Sequence, residues 1–214
     1  MATTQRRWAF ERGTLWTNDL AGATSAPVSP RGAVVFGEVR REDAGPLAVA
    51  MGTPSPEAAI QRFTAGCRCF AAWIDDRIAA YGWVSRGREW VGELEREFHM
   101  QEDEAYIWDC LTLREYRGRR LYSALLRFML DELRAAGIRR VWIGASLDNR
   151  PSIKGFTNAE FQPIIKLTYL RLFSLRCCWV LGYPGAPDQL VAAACRLIMA
   201  EDERAFGPLI VGIG

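Results

Sequence analysis

Between positions 121 and 136 the apolar residues Leu121, Ala124, Leu125, Phe128, Met129 and Leu133 recur at i, i+3, i+4, i+7, i+8 and i+12. That spacing lays one apolar stripe along a helix. Gly137 follows as its C-terminal stop. Two short apolar runs flank it, residues 105–113 (AYIWDCLTL) and 140–145 (RVWIGA). Each reads as a strand that both faces can bury. Strand, helix and strand in this order predict a right-handed parallel crossover.

The other segments build a mixed sheet around that unit. Residues 33–40 (AVVFGEVR) read as a buried strand, and Asp43 is placed to cap a short helix running to about residue 51. Ser55-Pro56-Glu57 starts a second helix with proline in its first turn. Residues 69–74 and 77–85 are strand-like runs joined by Asp75-Asp76, the spacing of a tight hairpin. The acidic stretch 92–104 reads as an exposed connection, irregular or helical. A short helix over 151–159, strands over 161–173 and 177–181, and a helix over 189–199 complete the series. Residues 21–32, rich in proline and small side chains, read as a loop, with an extra strand or hairpin over 7–18 before it. The expected fold class is therefore α/β (α+β), with an N-terminal extension at 1–32, a domain at 33–173 and a C-terminal extension at 174–214. The apolar tail, 190–213, can either complete the sheet or pack on a second subunit as a homodimer.

Composition narrows the function classes. Half of the 214 residues are hydrophobic and 24% are charged, ordinary values for a globular chain. A net charge of +2 gives no support to a nucleic-acid binder. The six cysteines form no C-x-x-C pair, and His99 is the only histidine, so no metal site is expected. Thiols without framework spacing fit a reducing compartment. The polar N-terminus has no signal-like apolar run, and no stretch of about 18 apolar residues occurs. A cytoplasmic protein without membrane contact is the expectation.

Candidate chemistry lies at the junction before the periodic helix. Arg114-Glu115-Tyr116-Arg117-Gly118-Arg119-Arg120 places four arginines within seven residues. A helix N-terminus exposes unpaired amides and the positive end of the dipole. Arginine suits phosphate oxygens, and Gly118 permits the backbone a phosphate cradle needs. A phosphate-bearing ligand is one reading and a solvated basic turn the other.

The segment Glu115-Tyr116-Arg117-Gly118-Arg119-Arg120-Leu121-Tyr122-Ser123-Ala124-Leu125-Leu126 resembles the pyrophosphate-binding segment of the GNAT acetyltransferases. Asn149-Arg150-Pro151-Ser152, Phe156 and Ala159-Glu160-Phe161 follow at the family's distance. The resemblance implies a GNAT fold with a splayed parallel strand pair, and acetyl-CoA or another acyl-CoA as cofactor. It implies that the backbone of Leu111, Thr112 and Leu113 pairs with the pantetheine arm. The pyrophosphate would lie on the amides of Arg117, Gly118, Arg119, Arg120, Leu121, Tyr122 and Ser123, with Asn149 and Ser152 contributing beyond the next strand. The implied reaction is N-acetylation of a primary amine, on a small molecule or amino sugar, by direct attack on the thioester.

The chain departs from the family pattern at four positions. Arg120 and Tyr122 stand at its two small positions, Phe156 at the usual tyrosine that protonates the thiolate, and Glu160 before the final phenylalanine. Asp109 and Glu95 are the candidate bases: Asp109 shares a strand face with Leu111, and Glu95 shares one with Glu93 if that segment is extended. Tyr122 and Tyr169 are the substitutes for the missing acid. Cys110 lacks a neighbouring histidine and is a poor nucleophile. The acidic residues Glu93, Glu95, Glu97, Glu102, Asp103, Glu104 and Asp109 could attract a cationic amine or simply face solvent. Trp73, Trp83, Trp90 and Trp108 belong to the core, with one or two available to an acceptor groove. The alternatives are an acyl-CoA-binding sensor with little turnover and an interaction domain that uses the arginine turn for phosphates.

Overall fold

The computed structural model describes residues 8–22, 28–173, 175–199 and 209–212. Strand β1 (Trp8–Asp19) opens the chain, followed by β2 (Val35–Val39), α1 (Ala44–Met51), α2 (Glu57–Thr64), β3 (Arg68–Ile74) and β4 (Arg77–Ser85). Next come β5 (Arg88–Val91), β6 (Arg96–His99), β7 (Glu104–Thr112), α3 (Leu121–Ala135), β8 (Arg140–Ser146) and α4 (Arg150–Asn158). The chain ends with β9 (Gln162–Leu172), β10 (Leu175–Gly182), α5 (Asp188–Ile198) and β11 (Leu209–Gly212). Nine strands form one sheet in the order β11-β10-β9-β1-β8-β7-β4-β3-β2, and β5 and β6 form a separate hairpin. The β7–β8 pair is parallel, as its crossover helix requires, and β10–β11 is a second, short parallel pair.

Strand alternation divides the core between the two faces. Phe70, Ala72, Ala80, Val84, Ile107 and Ile143 point to the side covered by the apolar stripe of α3. Cys69, Ala71, Tyr81 and Trp83 point the other way, under α1 and α2. Farther along that second face, Leu15, Tyr106, Trp142 and Leu167 lie under α5 and the β5–β6 hairpin. The hairpin at Asp75-Asp76 has both residues at positive φ, 49° and 57°, as a turn matched to strand twist demands.

Two expectations need correction. Residues 92–104 are not an exposed irregular or helical connection. Arg96, Phe98, Leu94 and Met100 are buried, because β6 turns one face to α5 and the sheet while Glu97 and His99 alternate outward. Asp43 caps nothing with its side chain; it ends a 3-10 turn, Arg41–Asp43, that leads into α1. Of the strand or hairpin expected over 7–18, the structure has the strand: β1 lies inside the sheet and pairs with both β8 and β9. The tail supplies α5, and the backbone of β11 extends the sheet.

The acidic residues are largely neutralised in pairs. Asp103 meets Arg139 at 2.6 Å, Glu104 meets Arg140 at 3.1 Å, and Glu97 meets Arg88 at 3.5 Å. Glu95 accepts from the Tyr169 hydroxyl at 2.9 Å and from Arg176 at 3.1 Å, and forms an ion pair with Arg171 at 2.9 Å. These bonds tie the β5–β6 turn to β9 and β10. Burial raises the Glu95 carboxyl, but the bonds from Arg176 and Tyr169 and the charge of Arg171 outweigh it and leave it below its ordinary value. A lowered carboxyl stabilises the fold above its unfolded value and loses that contribution as pH falls through the folded one, below about 4.3. Glu95→Gln should therefore cost about 2 kcal/mol in urea unfolding at pH 7. The difference from wild type should shrink at pH 3.

Candidate active site

The sheet opens beside α3. Strands β7 and β8 pair from Glu104↔Arg140 only as far as Ile107↔Ile143. Beyond that, β7 continues against β4 to Thr112, and β8 continues against β1 to Ser146. A V-shaped gap therefore separates the ends of two strands whose outer edges stay paired.

A bulge in β7 marks the start of the gap. Trp83 pairs with Trp108 and Tyr81 with Leu111, so Asp109 and Cys110 together oppose Gly82. Asp109 adopts φ 42°, the left-handed region. Gly82 makes room for the crowding: a Cβ there would lie 2.7 Å from Cys110 Sγ. The extra residue keeps Cys110 on the α3 side while Trp108 and Leu111 face α1 and α2. Asp109 does lie on the Leu111 side, where its carboxylate pairs with Arg62 of α2. The Arg62 guanidinium in turn stacks over Trp108 at 4.5 Å and Trp83 at 5.1 Å.

The backbone of β7 past the bulge is only half used. The Leu113 amide donates to the Ala79 carbonyl at 3.0 Å. Strand alternation then turns the amide and carbonyl of Thr112 toward the gap. The Thr112 carbonyl accepts from Arg117 Nε at 3.2 Å. Its hydroxyl oxygen is buried without a hydrogen-bond partner among the described residues. Of Leu111, Thr112 and Leu113, it is Thr112 whose backbone faces the opening; the Leu113 amide is already committed to β4.

The turn enters α3 through two left-handed residues, Gly118 at φ 79° and Arg120 at φ 59°. Arg120 is the N-cap and gives no side-chain cap, so the first amides of α3 lack a capping side chain. Arg117, Gly118, Arg119 and Arg120 are exposed, while Leu121 and Ser123 are buried and Ser123 Oγ accepts from Asn158 at 3.3 Å. The Arg119 carbonyl is held by the Arg31 amide at 2.9 Å. Charge and open amides thus coincide at one helix end. Across the gap, the Asn149 side chain accepts from the Ser152 amide at 3.2 Å and caps α4. The sequence reading missed that role for an Asn-x-x-Ser start.

Tyr122 crosses from α3 toward α4. Its ring lies over Gly155, where a Cβ would come within 2.3 Å of it, and its hydroxyl lies near Ser152 and Cys110. Burial pushes this phenol well above its ordinary value, and burial likewise raises the Cys110 thiol, which rules against a thiolate there. Phe156 is fully buried, edge-on to Trp16. Tyr169, pushed up to about 12 by burial and its bond to Glu95, sits under the β5–β6 hairpin. It and Glu95 share that ion cluster, so neither joins the groups at the gap.

A cleft of about 340 Å³ opens on the α2 side, lined among others by Arg62, Cys67, Ser85, Glu89 and Trp108. Glu89 was not singled out from the sequence, because its segment alternates too briefly to reveal a face. Among the described residues no group of three or more His, Cys, Asp or Glu side chains could hold a metal. No helix among them is long and apolar enough to cross a membrane.

A family model described as acetyltransferase (GNAT) family matches residues 40–161. Solved structures share the architecture at low identity. A GNAT-family acetyltransferase from Novosphingobium aromaticivorans is 18% identical over 74% of this chain and 62% of its own, with a TM-score of 0.51. One from Colwellia psychrerythraea is 14% identical over 78% and 57%, with a TM-score of 0.54. A GCN5-related N-acetyltransferase from Sphaerobacter thermophilus is 14% identical over 76% and 51%, also at 0.54. The chain thus spans between 51% and 62% of the length of these structures, and the likeness is one of fold. No curated protein matches the chain.

A non-glycine residue in the left-handed region is strained by about 1 kcal/mol. Arg120→Gly should therefore raise the unfolding free energy of the ligand-free protein by about that amount, read from urea titration. A Gly155→Ala substitution should lower it, because the new methyl meets the Tyr122 ring.

Proposed function

As the chain belongs to the GNAT acetyltransferase family, we propose that it transfers the acetyl group of acetyl-CoA, or a related acyl group, to a primary amine of a small molecule or amino sugar by direct attack. The observation that carries this reading is the meeting of three features at one gap. These are the parted strands β7 and β8, the backbone and unpartnered hydroxyl of Thr112, and the uncapped, arginine-flanked start of α3.

Those groups fit the thioester's carrier. The pyrophosphate suits the open amides at 118–123 and the guanidinium groups beside them. The pantetheine amides suit the gap-facing backbone of β7, through Thr112 with Leu111 beside it. Acetyl-CoA supplies the activated acyl carbon; the protein orients it and manages protons. In the transfer a carbon–nitrogen bond forms as the carbon–sulfur bond breaks. The amine gives up a proton and the departing sulfur receives one. Tyr122 is the group positioned to give it: its raised value keeps it protonated, and its hydroxyl stands among Ser152 and Cys110 at the gap. It takes over the role that Phe156, buried in the core, has no hydroxyl to perform.

One observation favours a second reading, an acyl-CoA-binding module with little turnover. The Tyr122 ring fills space between α3 and α4 where the family has a small residue. Turnover separates the two readings. Thermal unfolding with acetyl-CoA at about 100 times its dissociation constant should show stabilisation of about 2.7 kcal/mol, and Arg117→Ala with Arg119→Ala should remove most of it. Absence of any shift at millimolar acetyl-CoA would overturn the acyl-CoA reading. With an amine acceptor, Tyr122→Phe should lower kcat by about 10²-fold while leaving that thermal shift in place.

A further inference from the structure

The cleft on the α2 side holds a directional chain of hydrogen bonds that ends on a carboxylate. The indole Nε1–H of Trp108 can only donate, and it donates to Ser85 Oγ at 2.8 Å. Cys67 Sγ lies 3.3 Å from the same oxygen. Burial raises the Cys67 thiol, which keeps it protonated and able to donate as well. With both lone pairs of the buried Ser85 oxygen taken, its one proton goes to Glu89, whose carboxylate accepts it. Trp108 is the first residue of β7 beyond the last β7–β8 pair. The chain therefore fixes the Glu89 carboxylate relative to the mouth of the gap.

Glu89 differs from the other carboxylates nearby. Asp109 is held by Arg62, and Glu97 by Arg88 and His99. Such pairing spends a carboxylate's lone pairs on side chains already in place. Glu89 takes its side-chain hydrogen bond from a neutral hydroxyl instead.

We propose that Glu89 is the general base of the transfer, with Ser85 and Trp108 as the residues that position it. The proposal rests on the acyltransferase reading and assigns the acceptor to the α2-side cleft: a small primary amine, cationic in solution. Glu89 takes one proton from the ammonium group. The freed nitrogen pair bonds to the thioester carbonyl carbon, the carbon–sulfur pair leaves on sulfur, and the sulfur is protonated from Tyr122 or water. Burial lifts Glu89 above the usual carboxylate range, against the lowering by Ser85, the Trp90 backbone and Arg62, with Glu97 adding to the rise. Arg86 and Arg88 also line the cleft. A raised value brings the base nearer to neutral pH, where proton transfer is most effective.

The test follows free-thiol release from acetyl-CoA across pH, with ethanolamine, putrescine, tyramine and glucosamine as acceptors. Acetyl-CoA binding is measured in parallel by thermal shift. Glu89→Gln should bind acetyl-CoA as wild type does, lose about 10²-fold or more in kcat, and lose the acidic limb of the rate profile. Ser85→Ala, which removes a bond that lowers the carboxyl, should keep the limb and move it to higher pH. If Glu89→Gln binds acetyl-CoA and keeps its rate and its acidic limb, Glu89 is not the base, and the acyltransferase reading stands. If wild type binds acetyl-CoA yet releases no thiol with any of these amines, the cleft is not a small-amine site and the assignment falls with it. If wild type neither binds nor turns over, the acyltransferase reading itself fails.

Discussion

An interrupted hydrogen-bond ladder governs this molecule. A sheet gains stability from pairing its backbone groups, and a buried group left unpaired costs about 1–3 kcal/mol. Strands β7 and β8 give up that pairing after Ile107 and Ile143, in the middle of a nine-stranded sheet. The arrangement survives because each parted strand keeps its other neighbour, β4 for β7 and β1 for β8. The N-terminal strand thus bounds the gap from one side. The bulge at Asp109 turns successive side chains so that one strand serves both faces: Cys110 meets α3, and Trp108 meets the cleft.

Charge is distributed by the same logic of local satisfaction. Only two of the 27 basic residues are lysine, Lys154 and Lys166. Guanidinium groups can fork, stack and bridge, which suits them to shared ion pairs. Arg62 stacks on Trp83 and Trp108 while it pairs with Asp109. Arg171 and Arg176 share Glu95. The acidic residues of 93–109 therefore form no continuous negative face. The arginines of 117–120 stand at an uncapped helix end, where the dipole and charge favour the same kind of ligand.

Tyr122 and Phe156 show how two departures from a family pattern fit together. Phenylalanine at 156 completes a hydrophobic cluster with Trp16 and Phe161. Tyrosine at 122 then reaches over Gly155 and brings a hydroxyl back to the gap from a different helix. The glycine is what allows the ring to lie there. A proton donor is defined by where its oxygen sits, and its position in the chain matters only through that.

The periodicity of 121–136, the apolar strands on each side and the Asp75-Asp76 turn are local features. Spacing and propensity were enough to determine α3, β7, β8, the β3–β4 hairpin and the anion-suited turn between them. Short-range signals could not reach the rest. The β5–β6 hairpin hides its buried Arg96, Phe98 and Met100 among charges whose partners lie on distant strands. The insertion of β1 between β8 and β9 is a pairing across more than a hundred residues. Glu95 looked like a free base and is a clasp. Glu89, a single acid in a four-residue strand, gains its neighbours only when Trp108 and Ser85 fold against it. The sequence by itself determined the strands, the helix and the arginine-rich turn of residues 105–145. Which side chains gather around the gap was decided by tertiary structure, because burial and hydrogen bonding are made by residues far apart in the chain.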